Sequence, residues 1–136
     1  PTAPPSGNGS SQEQAISLGT VPAGALVLDT QGSGVTDTEI GLFDAEGNLI
    51  AQNDDAFDLQ YLSRINVNLG PGVYYVATGH YNTSFFPTGF GVDAPFNPPG
   101  AFVVNVIIGA NNANRPALTE SVVDPARALW FSLVVE

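Results

Sequence analysis

The sequence contains no cysteine, no methionine and no lysine, and its only histidine is His80. Without cysteine the chain forms no disulfide, offers no thiolate nucleophile and has no cysteine ligands for zinc or an iron–sulfur cluster. A single histidine also excludes metal sites and H-E-x-x-H motifs that need two histidines. No G-x-S-x-G motif is present, and His80 is predicted to be exposed or capped at a strand end. The sequence therefore predicts no enzymatic activity.

Positive charge is almost absent as well. Three arginines stand against 13 acidic residues, which gives a net charge of −10. Nucleic acids and anionic membrane surfaces both require clustered basic side chains, so we expect neither as a partner. No apolar run approaches the ~18 residues of a membrane-spanning helix, so we expect no membrane insertion.

The start of the chain predicts its location. It begins at Pro1, contains no methionine, and has no basic segment followed by an apolar one, so no signal peptide remains. We therefore expect a mature exported polypeptide that is extracellular or at the cell surface after signal-peptide removal. An excised fragment would have the same features.

The remaining composition indicates an all-β fold. Short runs of Val, Ile, Leu, Phe and Tyr alternate with polar residues between turns rich in the 15 glycines and 11 prolines, which is typical of strands. About eight strands are predicted, near residues 15–19, 24–30, 37–43, 48–53, 61–69, 72–80, 101–108 and 127–135. They predict a two-sheet antiparallel β-sandwich of jelly-roll type. We expect this single domain at 15–136, after a flexible or strand-donating arm at 1–14 that is rich in Pro, Ser and Gly.

Four connections differ in length and composition. Residues 44–48 predict a hairpin, because Gly47 tolerates a positive φ, and residues 70–72 (Gly-Pro-Gly) predict a second one. Residues 81–100 and 109–126 are too long for plain hairpins, and we predict them as loops.

Three spaced motifs in residues 37–76 resemble a known family. The first is a strand pair, DTEIGLFD at 37–44 and GNLIA at 47–51. The second is NDD at 53–55, and the third is LGPGVYYV at 69–76. This order is similar to that of the bacterial pre-peptidase C-terminal (PPC) domains and related secreted β-sandwiches. The resemblance implies a secreted, non-catalytic jelly-roll module. Such modules often accompany proteases or cell-surface proteins, and some bind calcium or polymeric ligands.

One strand departs from the family pattern. The family places a Trp-Phe strand before an Ala-Gly strand, which is 23–30 here, but the only Trp-Phe pair lies in 129–135. The fold could be circularly permuted, in which case 127–135 pairs with 24–30 of the same chain. Alternatively, a terminal strand is donated to the next copy, which builds a filament when repeated head to tail. A third alternative is that 127–136 begins a truncated second repeat.

Strand exchange is our leading hypothesis. It predicts a secreted structural protein that forms an extracellular filament or surface matrix as a homopolymer, with either the C-terminal strand or the N-terminal arm donated. The predicted interface residues are Trp130, Phe131, Leu133, Val135, Ala15, Ile16 and Leu18, together with Phe85, Phe86 and Phe90 of the 81–100 loop. The alternative function is an accessory module that binds calcium, a polysaccharide or a protein ligand beside a secreted enzyme.

Acidic residues are concentrated around the two predicted hairpins. Residues 1–60 contain nine acidic residues and no basic one. Calcium takes about six to eight oxygens from carboxylates, amides and carbonyls. We therefore predict a calcium site from Asp37, Glu39, Asn53, Asp54, Asp55 and Asp58, with Asp37, Asp54 and Asp55 as its first ligands. The spacing is not that of an EF-hand, and the alternative is a set of Asx turns that hydrogen-bond locally.

Two loops carry the remaining candidate sites. The aromatic rings of 81–100 could stack on an extracellular polymer, or they could cap the open end of the sandwich as core residues. Two N-x-S/T sequons, at Asn8 and Asn82, are candidate glycosylation sites in an exported protein.

Overall fold

The computed structural model describes residues 1–34, 37–56, 61–94, 100–109, 118–124 and 128–136, with the backbone alone at 118–124. The strands of this described part are β1 (Ile16–Val21), β2 (Gly24–Asp29), β3 (Thr38–Phe43), β4 (Leu49–Asn53), β5 (Arg64–Leu69), β6 (Gly72–His80), β7 (Ser84–Phe85), β8 (Val92–Asp93), β9 (Gly100–Ile108), β10 (Leu118–Asp124) and β11 (Leu129–Val135). A 3-10 turn at Gln12–Gln14 precedes them.

The strands form two packed sheets, which confirms the predicted all-β sandwich. One sheet has five strands in the order β1-β11-β6-β3-β4, the other has four in the order β10-β9-β2-β5, and β7 pairs with β8. The described pairs are antiparallel except one, because β1 runs parallel to β11. The prediction of a purely antiparallel sandwich is therefore wrong for the β1–β11 pair. Periodicity reports which face a side chain occupies and carries no information on strand direction.

The main core lies between the two sheets. Strand alternation turns one face of each sheet inward, and the inner side chains that pack together include Leu26, Leu28, Ile40, Leu42, Phe102, Val104, Phe131 and Leu133. Burying a side chain of this kind contributes ~1.5–3 kcal/mol, so this layer holds the sheets together. Along β5, alternation turns Ile65 and Leu69 into this core, and the partly buried Val67 packs against it.

A second apolar cluster covers the outer face of the five-stranded sheet. It consists of Ala15, Phe43, Ala77, Phe85 and Trp130. The Phe43 ring centroid lies 5.2 Å from that of Trp130 and 6.3 Å from that of Phe85. The β7–β8 hairpin and the N-terminal arm thus shield this face from water.

The connections were only partly predicted. Residues 44–48 form the expected hairpin between β3 and β4, with Gly47 at φ 89°. The hairpin expected at 70–72 is wrong, because β5 pairs with β2 in one sheet while β6 pairs with β3 and β11 in the other. A Gly-Pro-Gly turn suits a crossing between sheets as well as a return beside the same strand.

Both long loops contain strands. Within 81–100 the chain forms the short β7–β8 pair, and within 109–126 it forms β10, which pairs antiparallel with β9. The loop prediction missed β10 because Thr119, Glu120 and Ser121 interrupt its apolar pattern. Its pairing with the central strand β9 outweighs that weak local signal.

Candidate functional site

The C-terminal strand β11 lies in the middle of its own sheet. All seven of its residues are buried, and it pairs with β1 on one side and β6 on the other. Phe131, Leu133 and Val135 point into the main core, and Trp130 points into the outer cluster. The pairing of 127–135 with 24–30 expected from circular permutation is wrong, because the partners of β2 are β5 and β9.

The N-terminal strand β1 forms one edge of that sheet. Its Leu18 and Val21 are 7% and 2% exposed and belong to the main core, with Ile16 packed against them. The register with β11 shifts between Ser17 and Gly19, where Gly19 adopts a φ of 121°. This bulge lets Leu18 and Val21, which are three residues apart, both face inward, and the positive φ favours glycine at that point.

A two-residue connection joins β1 to the opposite sheet. Pro22 and Ala23 are exposed, and Gly24 follows at a φ of 131°. The end of the chain closes over this connection, because Ala23 N donates to Glu136 O (2.8 Å) and Glu136 N donates to Val21 O (3.0 Å). The predictions did not include this connection, although a Pro-Ala-Gly sequence between two apolar runs is a recognisable signal.

The N-terminal arm folds back on itself before β1. Gly7 N donates to Ala15 O (2.9 Å), and Gly9 N donates to Gln14 O (2.6 Å). Ser6 Oγ accepts from Ser17 N (3.0 Å). The arm reaches β11 through Gly9 O, which accepts from Trp130 N (2.9 Å). Residues 6–17 therefore form a loop that is held by its own hydrogen bonds. This loop packs against β11, the strand with which β1 pairs.

Three acidic side chains meet at the far ends of β3 and β4. Carboxylate oxygens of Asp37, Asp54 and Asp55 lie within 4.8 Å of one another, as the calcium prediction had placed them. Asp37 Oδ1 is shielded from solvent and accepts no hydrogen bond from a described residue. Desolvation raises the pKa of Asp37, and the negative charges of Asp55 and Asp54 raise it further. Desolvation and Asp55 likewise raise the pKa of Asp54. Protons or a cation would relieve this repulsion.

Glu39 lies beside this cluster on β3. Its carboxylate accepts a hydrogen bond from Thr83 N (2.7 Å), and its side chain is 7% exposed. Desolvation is the main cause that raises the pKa of Glu39 to about 7, and the charges of Asp54 and Asp37 add to it, while the Thr83 bond opposes them. Glu39 is thus a protonation site next to the three carboxylates.

Two other predicted ligands are placed differently. Asn53 Oδ1 accepts from Arg64 N (3.0 Å), so this oxygen is already engaged in the structure of the sheet end. Asp58 lies outside the described residues. The local Asx-turn alternative holds at the neighbouring hairpin, where Asp44 Oδ1 accepts from Glu46 N and Asn48 N, both at 2.9 Å.

His80 is part of the interior. The exposed alternative is wrong, because His80 is 2% exposed and its ring lies edge-on to Phe102 with centroids 4.8 Å apart. It does end β6, and its carbonyl accepts from Thr83 N and Thr83 Oγ. The turn after β6 and the inward position of this residue in the strand bury it, which its place at a strand end did not reveal.

The aromatic loop divides into buried and exposed rings. Phe85 is 9% exposed and Phe90 packs against Tyr75 (5.4 Å between centroids), so both belong to the outer cluster. They cover the outer face of the five-stranded sheet. The prediction that these rings are core residues at the open end of the sandwich is therefore wrong about their position. Phe86 is 47% exposed and remains a candidate contact.

Both sequon asparagines are exposed. Asn8 Oδ1 accepts hydrogen bonds from Ser10 N (3.0 Å) and Ser10 Oγ (2.6 Å). Asn82 has a φ of 64° in the turn before a buried Thr83, whose Oγ donates to His80 O (2.7 Å). Ser84, which supplies the hydroxyl of the second sequon, is exposed as well, so both asparagines are reachable.

Comparisons with protein-family models, with curated proteins and with solved structures find no match to this chain. The resemblance to the PPC domains therefore stays a prediction from the motifs. In the part of the chain that the structure describes, no helix has the length and apolar character needed to cross a bilayer.

Proposed function

We propose that this protein is a secreted, non-enzymatic structural subunit that assembles into an extracellular filament or surface matrix by exchanging a terminal β-strand between copies. One observation carries the proposal. β1 supplies Leu18 and Val21 to the core, yet among the described strands it pairs with β11 alone, and only two residues join it to β2.

Such a strand can be supplied by a neighbouring copy without any new type of contact. The pairing and core contacts are the same whether the strand comes from the same chain or the next one. A terminal β-strand that adds to the sheet of another copy gains its main-chain hydrogen bonds as in other strand-addition complexes. The absence of cysteine and methionine suits an extracellular material, since no sulfur is present to be oxidised.

The test is the assembly state of the full chain. The protein, refolded from denaturant at high concentration, is expected to form filaments in negative-stain microscopy and to elute as a broad high-mass species in size-exclusion chromatography. A single monomer peak at every concentration, with no filaments, would contradict the proposal.

A second candidate function is a PPC-like accessory module that binds calcium. The juxtaposed carboxylates of Asp37, Asp54 and Asp55 favour it, since calcium prefers hard oxygen ligands of this kind. A cation that binds only the folded chain raises its melting temperature. We expect millimolar CaCl2 to raise the Tm of the wild type and of the exposed control Asp93→Asn, and to leave that of Asp55→Asn unchanged. An equal Tm with and without CaCl2 in the wild type rejects this function.

A further inference from the structure

We infer that the exchanged element is the N-terminal segment of residues 1–21, and that its partner is the β11 edge of the next copy. This inference rests on the proposed strand exchange and selects between its two termini. The segment consists of the arm (1–15) and β1, and Pro22-Ala23 is the hinge about which it leaves its own chain.

The two terminal strands differ in how much of the fold each removal disrupts. Detaching residues 1–21 opens one strand ladder, with β11, uncovers Ile16, Leu18 and Val21, and withdraws Ala15 from the outer cluster. Detaching β11 breaks two ladders, separates β1 from the sheet, and withdraws seven buried residues, five of which belong to the two apolar clusters. Opening at β1 is therefore the smaller disruption, and the body that remains keeps β11 paired with β6.

The hinge leaves the closed monomer little slack. Val21 and Gly24 lie in opposite sheets, which pack about 10 Å apart. The three Cα–Cα steps between them span at most ~11 Å. Short hinges of this kind cannot relax in the closed form and favour exchange, and a proline within one stiffens it further. In the exchanged form, Pro22 and Ala23 instead extend from β2 toward the next copy.

The segment keeps its own organisation when it moves. The bonds of Gly7 with Ala15, Gly9 with Gln14 and Ser6 with Ser17 all lie inside residues 6–17. Outside the β1–β11 ladder, two main-chain bonds join the segment to the described body: Trp130 N donates to Gly9 O, and Glu136 N donates to Val21 O. The next copy offers both donors in the same places. The arm can thus dock on the acceptor as it docks on its own chain.

Each copy then donates one segment and accepts another. Donor and acceptor surfaces are different, so the contact is heterologous and propagates head to tail unless its rotation closes a ring. This is the geometry of a filament.

Engineered disulfides can report which strand crosses between chains, because the native chain has no cysteine. Ser17 and Ser132 are register partners of β1 and β11, and Val73 and Val134 are register partners of β6 and β11. Neighbouring strands lie ~4.8 Å apart, within the Cα separation that a disulfide accepts. The variants are S17C/S132C and V73C/V134C, assembled at high concentration, oxidised, and separated by non-reducing SDS electrophoresis.

The expected result is a covalent ladder of multimers for S17C/S132C and a monomer band for V73C/V134C. T20C/V134C, a second β1–β11 register pair, gives the same ladder if the first pair folds poorly. A25C/N68C joins β2 to β5 inside the body and serves as the monomeric control.

Ladders from both β1–β11 and β6–β11 pairs would mean that β11 is donated, which overturns this inference and leaves strand exchange standing. Monomer bands from both pairs in a sample that microscopy shows to be filamentous would overturn exchange by either terminus. A β1–β11 ladder without filaments would support the N-terminal exchange and reject the filament. The two proposals therefore fail in distinguishable ways.

Discussion

The two edge strands of the five-stranded sheet, β4 and β1, differ in how they pair and in how much they contribute to the core. β4 follows β3 through the turn at 44–48, pairs with it antiparallel, and has no fully buried side chain. β1 pairs parallel with β11, which comes from the other end of the chain, and buries Leu18 and Val21 in the main core. One edge is local and contributes little to the core. The other is non-local and contributes to it directly.

Under the proposed exchange, this difference favours β1 over β4 as the exchanged edge. A hairpin strand such as β4 re-forms beside its own neighbour faster than it can meet another copy, since the loop that it closes is short. β1 has no such neighbour in sequence, because its partner β11 is the last strand of the chain. The core position that β1 leaves must nevertheless be filled, either by its own chain or by the next.

The largest effect is expected from a longer hinge. Insertion of Gly-Ser-Gly between Pro22 and Ala23 gives β1 the slack to stay on its own chain. We expect the filament population to be replaced by monomer in size-exclusion chromatography. The same insertion between Ala45 and Glu46, in the β3–β4 turn, is the control and should leave assembly intact. Filaments that survive the hinge insertion would contradict the role of the hinge.

The next largest effect concerns the core contribution of each edge. Leu18→Ala on β1 removes a side chain that is 7% exposed, and such truncations cost about 2–4 kcal/mol of unfolding free energy. Ile50→Ala on β4 alters a side chain that is 41% exposed and is expected to cost less than about 0.5 kcal/mol. Urea unfolding measures both. Equal losses of unfolding free energy in the two variants would contradict the difference in core contribution between β1 and β4.

A smaller effect is expected at the turn that holds β4. Asp44→Ala removes the bonds that Asp44 accepts from Glu46 N and Asn48 N, at a cost of about 1 kcal/mol. These bonds also lower the pKa of Asp44, so its contribution is present at neutral pH and is lost as the pH falls through the lowered value. Urea midpoints at pH 7 and pH 3 test this. If the urea midpoint of Asp44→Ala falls below that of the wild type by as much at pH 3 as at pH 7, this pH dependence is contradicted.

A further effect is a pH dependence at Glu39. Because the pKa of Glu39 is raised from 4.5 to about 7 in the folded chain, the folded state favours its neutral form. Its stabilising contribution is complete below pH 4.5 and is lost as the pH rises through 7. We expect the Tm to fall between pH 5 and pH 8, and Glu39→Gln to flatten that slope. The same dependence of Tm on pH in the wild type and in Glu39→Gln would contradict the role assigned to Glu39.

This pH effect also sharpens the contrast between the two edges. Glu39 lies on β3, next to β4 and away from β1 in the sheet order. The yield of the S17C/S132C ladder should therefore stay the same when assembly at pH 5 and pH 8 is compared at equal distance below the Tm.

The local features of the fold could be predicted from the sequence, and the non-local ones could not. Gly47 and Asp44 specify the β3–β4 turn within a few residues, and the inward side of β5 follows from alternation at Ile65 and Leu69. The destination of the chain after Gly70 depends on which strand lies opposite, and nothing near Gly70 encodes that. For the same reason β10 was missed, and the partners of Trp130 were not foreseen.

The candidate sites follow the same division. Asp54 and Asp55 are adjacent in sequence, and the DTEIGLFD run placed Asp37 at a strand end, so their meeting could be predicted. The burial of His80 and the connection at Pro22 could not, because both depend on how the two sheets stack. For that reason the sequence does not decide which terminus is donated, and our inference of β1 rests on the sheet order.

The central claim is that β1 of one copy pairs with β11 of another, and a mixture of single-cysteine chains tests it most directly. Equal amounts of S17C and S132C chains are unfolded together, refolded at high concentration and oxidised, so that every disulfide must join two molecules. Exchange predicts abundant S17C–S132C heterodimer, identified by mass spectrometry of the linked peptides, because these residues are register partners. Linked peptides in statistical proportion among S17C–S17C, S132C–S132C and mixed pairs, or no linkage at all, would contradict the claim.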